Sequence, residues 1–519
     1  MAGSLTIHLH RAMRHAPRCT ATIFNERRVS YAELGQRVAR LAGGLKLLGV
    51  DRDDRVALLS LNCDRYLESQ LAVFWAGAAV NPVNTRWSEK EILFSLDDCA
   101  ATILLVDEAF CAMGIRLRAS ASTLRHVIYM GDGATPSGMH AYEDLVRDSA
   151  PIEDAFRCDD DLAGIFYTGG TTGFPKGVML SHGSIGAAVI NRIAADQGPG
   201  AISLHAAPLF HLAGALGMWS QLAKGGTHVF LPSFEPRAAM ALIEREQVTD
   251  TLIVPTMIQM ILDHPQRADF NLASFKHVVY GGAPISPALQ DRLMEALPDL
   301  RLMQGFGMTE LSGCVTFLPA RYHGRQACHP DRLGSAGYAA VMSEVAVVDA
   351  AGEELPRGQV GEIVARGATA MLGYWNRPAD MAATVRKGWI HTGDLAYMDD
   401  EGFIYIVDRV KDMIVSGGEN VYSAEVEKAI ASHPYVAQCA VIGIPDERWG
   451  ESVHAVVVLH QHVQLVAAEL IDHCKTLIAG YKCPRSVDFA CELPMSAAGK
   501  LQKHLLREQF WKQHVRKVN

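Results

Sequence analysis

Short runs that are apolar on both faces, spaced by amphipathic helical stretches, constrain this chain more than any other feature. Arg55-Val-Ala-Leu-Leu-Ser-Leu61, residues 101–106 and His126-Val-Ile-Tyr-Met130 are such runs. A strand apolar on both faces must be covered on both, as in parallel sheets layered with helices. Helical patterns lie between them. Ser30 is placed to cap a helix with Leu34, Val38, Leu41 and Leu45 on one face, and residues 67–79 return to a helix. The alternation resumes after residue 160, with strands at 162–167, 227–231 and 251–254 and helices at 183–192 and 236–247. The expected fold class is therefore α/β with largely parallel sheets. No internal repeat of fixed period is present.

The pattern changes near residue 333. Residues 345–349, 361–365 and 403–407 are short strands separated by glycine-containing turns, a smaller β-rich unit. After Arg409 a last segment mixes helix (424–431) with strands (437–442 and 454–459). A boundary near residues 408–411 follows from pattern, although no long Ser/Gly-rich linker marks it.

Composition excludes several classes. With 519 residues, at ~150 per domain, about three folding units are expected. A hydrophobic share of 49% and a charged share of 20% suit a globular chain that needs no disulfide or metal to fold. Lys and Arg number 48 against 57 Asp and Glu, a net charge of −9. That argues against nucleic acid as a partner, since such affinity rests on Lys and Arg neutralising phosphates. A small phosphate ligand held by a local site remains open. The 11 cysteines are scattered with no C-x-x-C spacing, which fits reduced thiols in a cytoplasmic enzyme and argues against zinc. No apolar run reaches the ~18 residues of a membrane span, and Asn81 and Pro82 interrupt the longest candidate. Arg11, Arg14 and Arg18 precede no apolar block of signal-peptide type, although an acid-poor start containing Arg and Ser also suits a transit peptide.

The densest chemistry is Tyr167-Thr-Gly-Gly-Thr-Thr-Gly-Phe-Pro-Lys-Gly-Val178, which follows an apolar strand and precedes a helix. Gly169, Gly170, Gly173 and Gly177 let backbone N–H groups turn toward an anion. Thr168, Thr171 and Thr172 add hydroxyls, and Lys176 adds a positive charge. A polyphosphate needs such a cradle. It is not a Walker A loop, because Pro175 precedes the lysine and Gly177 follows it.

This loop resembles the phosphate loop Y-T-S-G-T-T-G-x-P-K-G of the adenylate-forming superfamily, to which acyl-CoA synthetases belong. Gly169 stands where Ser is common. The resemblance extends along the chain. In Gln304-Gly-Phe-Gly-Met-Thr-Glu310 it implies that Phe306 stacks on adenine, Thr309 contacts the α-phosphate and Glu310 binds Mg²⁺ together with Thr172. Gln304, Gly305 and Gly307, with Gly282 and Ala283, would complete the nucleotide cleft. A carboxylate suits Mg²⁺, which is usually held by one or two carboxylates plus phosphates. In Trp389-Ile-His-Thr-Gly-Asp394 the resemblance gives Asp394 both ribose hydroxyls; Arg409 would bond the ribose, with Ile406 beside the nucleotide. In Asp408-Arg-Val-Lys-Asp-Met-Ile-Val-Ser-Gly-Gly-Glu-Asn420, Lys411 would be the hinge, and Ser416, Gly417 and Gly418 would line a pantetheine channel. Asp408 replaces a frequent Gly, and Ser423 a frequent Pro, though Ser423 remains a good helix cap. Pro494-Met-Ser-Ala-Ala-Gly-Lys500 makes Lys500 the lysine of adenylation, with Met495 for a usual Lys. His211, in Pro208-Leu-Phe-His-Leu212, would gate the acyl pocket; Trp449 would lie near CoA or simply pack in the core.

The resemblance implies a large N-terminal domain over residues 1–408, with two α/β subdomains and the small β-rich unit, then a small mobile α+β domain over 409–519. It implies an AMP-forming acid–thiol ligase that uses ATP, Mg²⁺ and coenzyme A. A carboxylate attacks the α-phosphate of ATP, pyrophosphate leaves, and CoA then displaces AMP as the C-terminal domain turns about Lys411. The acyl pocket would be built from residues 211–217, 280–283 and 305–313, where Gly281, Gly282, Gly305 and Gly313 have no side chains to close it. A medium- or long-chain fatty acid is expected, with an arylpropenoate, or loading of a carrier protein, as alternatives. Stable membrane insertion is not expected, and homodimerisation is compatible with the resemblance.

Overall fold

The computed structural model describes residues 3–168, 175–195, 202–283, 285–323, 329–417, 419–446, 448–495 and 501–511. The chain forms two compact units: Met1–Val345 with Ala365–Ile390, and Ala346–Val364 with His391–Asn519. The strands Ser343–Val348, Gly361–Gly367 and Trp389–Met398 run across the division, so the β-rich segment contributes residues to both.

In the larger unit, the described residues form two sheets. The first runs in the order Gly373–Tyr374, Lys176–Ser181, Leu162–Thr168, Ala79–Pro82, Arg55–Leu59, Ile103–Val106, His126–Tyr129, His140–Ala141. Its centre is parallel, and Val56, Leu58, Leu104, Leu105, Val127 and Ile165 are fully buried, as expected for strands covered on both faces. The helix Tyr31–Leu47 opens with a capping box: Ser30 Oγ accepts from the Glu33 N–H and Glu33 accepts from the Ser30 N–H. The helix expected over 67–79 is Asp64–Trp75. Gly77, at φ +82°, turns the chain, and Ala79–Pro82 becomes a strand parallel to Arg55–Leu59.

The second sheet has the order Tyr338–Ala339, Gly313–Leu318, Arg301–Met308, His277–Gly281, Asp250–Ile253, Ile202–His205, Thr227–Phe230, Thr20–Phe24, Arg27–Ser30. Helices His182–Ala195 and Leu212–Lys224 pack on one of its faces, where Ala195 meets Val279 and Met303.

The smaller unit holds a mixed sheet of Glu419–Val421, Ile414–Ser416, Gly450–Leu459, Val436–Asp446 and Ser486–Phe489. Helices Ser423–Ala431 and Ala467–Lys475 close its core around Ile414, Val426, Val441 and Val453.

Candidate functional site

The phosphate-loop motif sits at the closed end of a hairpin. Leu162–Thr168 pairs antiparallel with Lys176–Ser181, and Thr168 lies directly opposite Lys176. A strand therefore separates the loop from the helix His182–Ala195, where the sequence suggested a direct strand–loop–helix passage. Gly169, Gly170, Thr171, Thr172 and Gly173 lie outside the described residues, as do Gly418 and Lys500. Gly177 is fixed by close approach: a Cβ there would come within 2.7 Å of Ile165 and 3.0 Å of the Tyr167 ring.

Lys176 opens the second hairpin strand. Its ammonium pairs with Asp380 and lies 5.7 Å from the centre of the Tyr374 ring. The Tyr374 hydroxyl donates to Glu310 Oε1 at 2.7 Å. Burial, then the Glu310 charge, pushes this phenol well above its ordinary range, so it keeps its proton and donates. Glu310 is buried, and its backbone carbonyl accepts from the Met371 N–H at 2.9 Å. The structure thus brings Lys176 and Glu310 together across 134 positions of sequence through Tyr374, a residue the motif analysis passed over. Its neighbours Gly373 and Trp375 were the available signal, for the Trp375 N–H bonds the Gly177 carbonyl at 2.7 Å and locks this segment onto the hairpin.

Gln304, Gly305, Phe306 and Gly307 occupy consecutive positions of the strand Arg301–Met308, and Thr309 starts the short turn Thr309–Leu311. Gly305 pairs with Gly281, which places Gly282 and Ala283 beside this strand end. Gln304 Oε1 accepts from the Tyr280 hydroxyl at 3.2 Å. The pocket glycines are not equally open. A Cβ on Gly281 would stand 2.6 Å from the Gly305 carbonyl, and one on Gly305 would stand 2.6 Å from Cys314 Sγ, so both serve close packing. His211 immediately precedes the helix Leu212–Lys224, with its ring 4.5 Å from that of Phe210.

In the smaller unit, Asp394 and Arg409 face each other across an antiparallel pair, with Arg409 Nε 3.3 Å from Asp394 Oδ1. Ile406 lies on the same strand as Arg409 and is exposed. Burial, then Arg409, lowers the Lys411 pKa from its ordinary value. Next to it, Asp412 pairs with Arg507. Ser416 Oγ is buried with no hydrogen-bond partner among the described residues. Gly417 adopts φ +64°, and a Cβ there would meet the Trp449 ring at 2.7 Å. The guanidinium groups of Arg448 and Arg485 lie 4.6 and 4.3 Å from that ring's centre.

The two departures from the family pattern bond to each other. Asp408 accepts from the Ser423 N–H at 2.5 Å and from its hydroxyl at 2.9 Å, and Lys503 Nζ donates to the Ser423 oxygen at 2.6 Å. Ser423 is the first helical residue and Tyr422 the cap position, so Asp408 supplies the capping oxygen expected of Ser423. A proline at 423 would have no N–H for Asp408 to accept.

Among the described residues no group of three His, Cys, Asp or Glu side chains could hold a metal unaided. One buried carboxylate, Glu310, fits a Mg²⁺ whose other ligands are phosphate oxygens and water. No helix of the described residues is long and apolar enough to cross a membrane.

Comparison with known proteins agrees with this arrangement. Residues 9–375 match the model of the AMP-binding enzyme family, and residues 425–500 match that of the AMP-binding enzyme C-terminal domain. A feruloyl-CoA synthase of an Amycolatopsis species is 39% identical over 503 residues, covering 96% of this chain and 98% of its own. A long-chain-fatty-acid–CoA ligase of Mycobacterium tuberculosis is 34% identical over 485 residues, 93% of each chain. The o-succinylbenzoate CoA synthetase of Bacillus subtilis, solved with its acyl-adenylate intermediate, superposes with a TM-score of 0.84 at 30% identity over 99% of both chains.

Proposed function

Because the chain belongs to the AMP-binding enzyme family and is an AMP-forming acyl-CoA synthetase, a ligase, we propose that it activates a carboxylic acid whose acyl group is far larger than acetate, through an acyl-adenylate. The observation that carries this reading is the grouping of Lys176, Tyr374 and Glu310 beside the hairpin that bears the phosphate loop. A carboxylate and ATP repel each other, so catalysis here is positioning and charge neutralisation. Lys176 and the loop residues Thr168–Gly173 meet the phosphates, Thr309 the α-phosphate, and Phe306 the adenine. Asp394 and Arg409 take the ribose. Glu310, with Thr172, holds Mg²⁺, which when bound neutralises phosphate charge. Lys500 stabilises the charge that builds as the carboxylate attacks. For the second step, the orphan hydroxyl of Ser416 and the Gly417–Trp449 contact support a place for the pantetheine arm, and the two guanidinium groups on Trp449 support one for CoA phosphates.

His211 stands at the entrance of the acyl pocket. Both medium- or long-chain fatty acids and arylpropenoates suit a pocket of this kind, and the relative named for long-chain fatty acids and the one named for feruloyl-CoA each match over nearly the whole chain. The adenylation domain spans residues 1–408 and the C-terminal domain 409–519, with Lys411 between them. The test is acid-dependent pyrophosphate release with AMP as co-product; ADP would assign kinase chemistry instead. Lys500→Ala should lower pyrophosphate release by ~10²-fold or more, the scale of losing one placed charge at a reacting centre. It should leave thioester formation from a supplied acyl-adenylate within a few-fold. Equal loss of both half-reactions would refute the assignment of Lys500 to the first step.

A further inference from the structure

One face of the second sheet changes character along its strands. On Arg301–Met308 the residues sharing that face are Gly305, Met303 and Arg301, paired with Gly281, Val279 and His277 on the neighbouring strand. One strand further, Leu252 lies level with Val279, and Asp250 with His277. Glycines thus lie at the nucleotide end, apolar side chains in the middle and ionisable ones at the far end. Four residues of strand, at ~3.3 Å each, separate Gly305 from Arg301, or about 13 Å.

Arg192 reaches this face from the helix His182–Ala195. It shares a cavity with Ser203, His205, Gly214, Gly217 and Leu252, so it stands below the segment that begins at His211. A Cβ on Gly217 would meet only Leu252, at ordinary contact distance. Arg192 is 4% exposed, yet among the described residues its guanidinium has no hydrogen-bond or ion-pair partner. Its charge is felt at Cys314, whose sulfur lies where a Gly305 side chain would go, and at Asp250. A guanidinium in a cavity wall with no acceptor from the described chain is suited to a ligand that supplies one.

The character of that acceptor follows from Asp250. Burial pushes its carboxyl up, but His277, Arg192 and Ser203 outweigh this and hold it below the usual range. It is therefore ionised and offsets the Arg192 charge without occupying the donors, since no ion pair joins the two within 4 Å. A second carboxylate on the substrate would add charge beside Asp250. A bare alkyl or phenyl end would leave the donors unpaired. A neutral oxygen avoids both penalties.

We propose that Arg192 is a specificity-determining residue of the acyl site, and that the acid carries a neutral oxygen acceptor, such as a hydroxyl, ether or ketone, at the end of its acyl group remote from the carboxylate. The proposal rests on the acid–CoA ligase reading above. A site built to bond a substrate oxygen rejects the analogue lacking it far more strongly than an apolar pocket resolves one methylene.

The experiment compares kcat/KM for pyrophosphate release with matched acids: cinnamate against 4-hydroxycinnamate, and octanoate against 8-hydroxyoctanoate, with octanedioate as the charged arm. Wild type should favour at least one hydroxylated member by about tenfold or more and should use octanedioate no better than octanoate. In Arg192→Met the preference should fall to within about threefold, through loss on the hydroxylated acid while its unsubstituted partner is retained. Arg192→Lys should keep part of it. Equal use of both members by wild type, a preference for octanedioate, or an equal loss on both members in Arg192→Met would overturn the proposal. If Arg192→Met does not fold, the wild-type and Arg192→Lys ratios decide. Pyrophosphate release with none of the acids would count against the ligase reading itself, a result distinct from a flat ratio.

Discussion

Two arginines are buried to nearly the same degree, Arg65 beside the first sheet at 6% exposure and Arg192 beside the second at 4%. Their surroundings differ. Arg65 donates to the carbonyls of Met130 at 2.5 Å and Gly131 at 3.1 Å and to Glu143 at 2.9 Å. The other buried charges of its helix are paired too: Asp64 takes Arg27, and Glu68 takes Arg37 at 2.7 Å and the Tyr142 hydroxyl at 2.9 Å. Around Arg192, Asp250 Oδ1 and His228 Nε2 are buried without a hydrogen-bond partner among the described residues. Burial, then its neighbour Asp250, sets the state of His205: burial lowers its pKa to about 4 and Asp250 only partly opposes this, so it is neutral near pH 7. Satisfied buried charge holds a fold in place, whereas unsatisfied buried charge in a cavity wall awaits something that is not part of the chain.

The largest expected effect is on the satisfied side. Arg65→Met would leave the Met130 and Gly131 carbonyls without their donor, while half-exposed Glu143 keeps Arg37, a loss of ~2–3 kcal/mol. Urea unfolding of the larger unit reads it, and the fraction that still folds should keep the wild-type preference among acids. A loss below ~1 kcal/mol would erase the contrast between the two residues.

The next effect is deliberately small. Arg192→Met exchanges an unpartnered guanidinium for an apolar chain of similar length, so stability should move by less than ~1 kcal/mol in either direction. The same variant should shift acid preference about tenfold. Stability loss comparable to that of Arg65→Met, with an unchanged preference, would make Arg192 a structural residue like Arg65.

The sequence reveals the strands and the motif residues far better than it reveals this contrast. Arg55–Leu59, Ile103–Val106 and His126–Tyr129 are legible because burial on both faces leaves an unbroken apolar run. The capping box at Ser30 is legible because all its atoms lie within four residues. Tyr374 is not, because its meaning comes from Glu310, 64 positions away. The bond between Asp408 and Ser423 escapes for a related reason: each looks like an isolated departure until the fold places them together. Arg192 follows Asn191 on an otherwise largely apolar helix. A lone long cation there ordinarily snorkels to solvent, and only the packing of Gly214, Gly217 and Leu252 around it shows that it does not. The pocket glycines teach the reverse lesson, since a missing side chain signals close packing at Gly281 and Gly305 but room for a Cβ in ordinary contact with Leu252 at Gly217.

The smallest effect lies at acid pH and asks whether Arg192 and Asp250 act on each other. The Asp250 carboxyl is depressed below its unfolded value of about 3.9. A depressed carboxyl contributes stability that is fully present above the unfolded pKa and is lost as pH falls through the folded one. The urea midpoint of wild type should therefore carry an Asp250 contribution at pH 5–7 that fades below about pH 4. Asp250→Asn has no such contribution to lose, so its difference from wild type should shrink over the same interval. In Arg192→Met one of the forces depressing the carboxyl is gone, so its folded pKa lies nearer the unfolded one; the contribution at pH 5–7 should be smaller than in wild type, and the fading, which begins at the same pH, should be complete at a higher one. Arg65→Met, whose guanidinium lies beside the other sheet, should lower the whole curve without changing the size of that contribution. A contribution of unchanged size in Arg192→Met would mean that His277 and Ser203 hold Asp250 alone. The guanidinium would then lack its internal counter-charge, and the acceptor it favours would be a second carboxylate instead of a neutral oxygen.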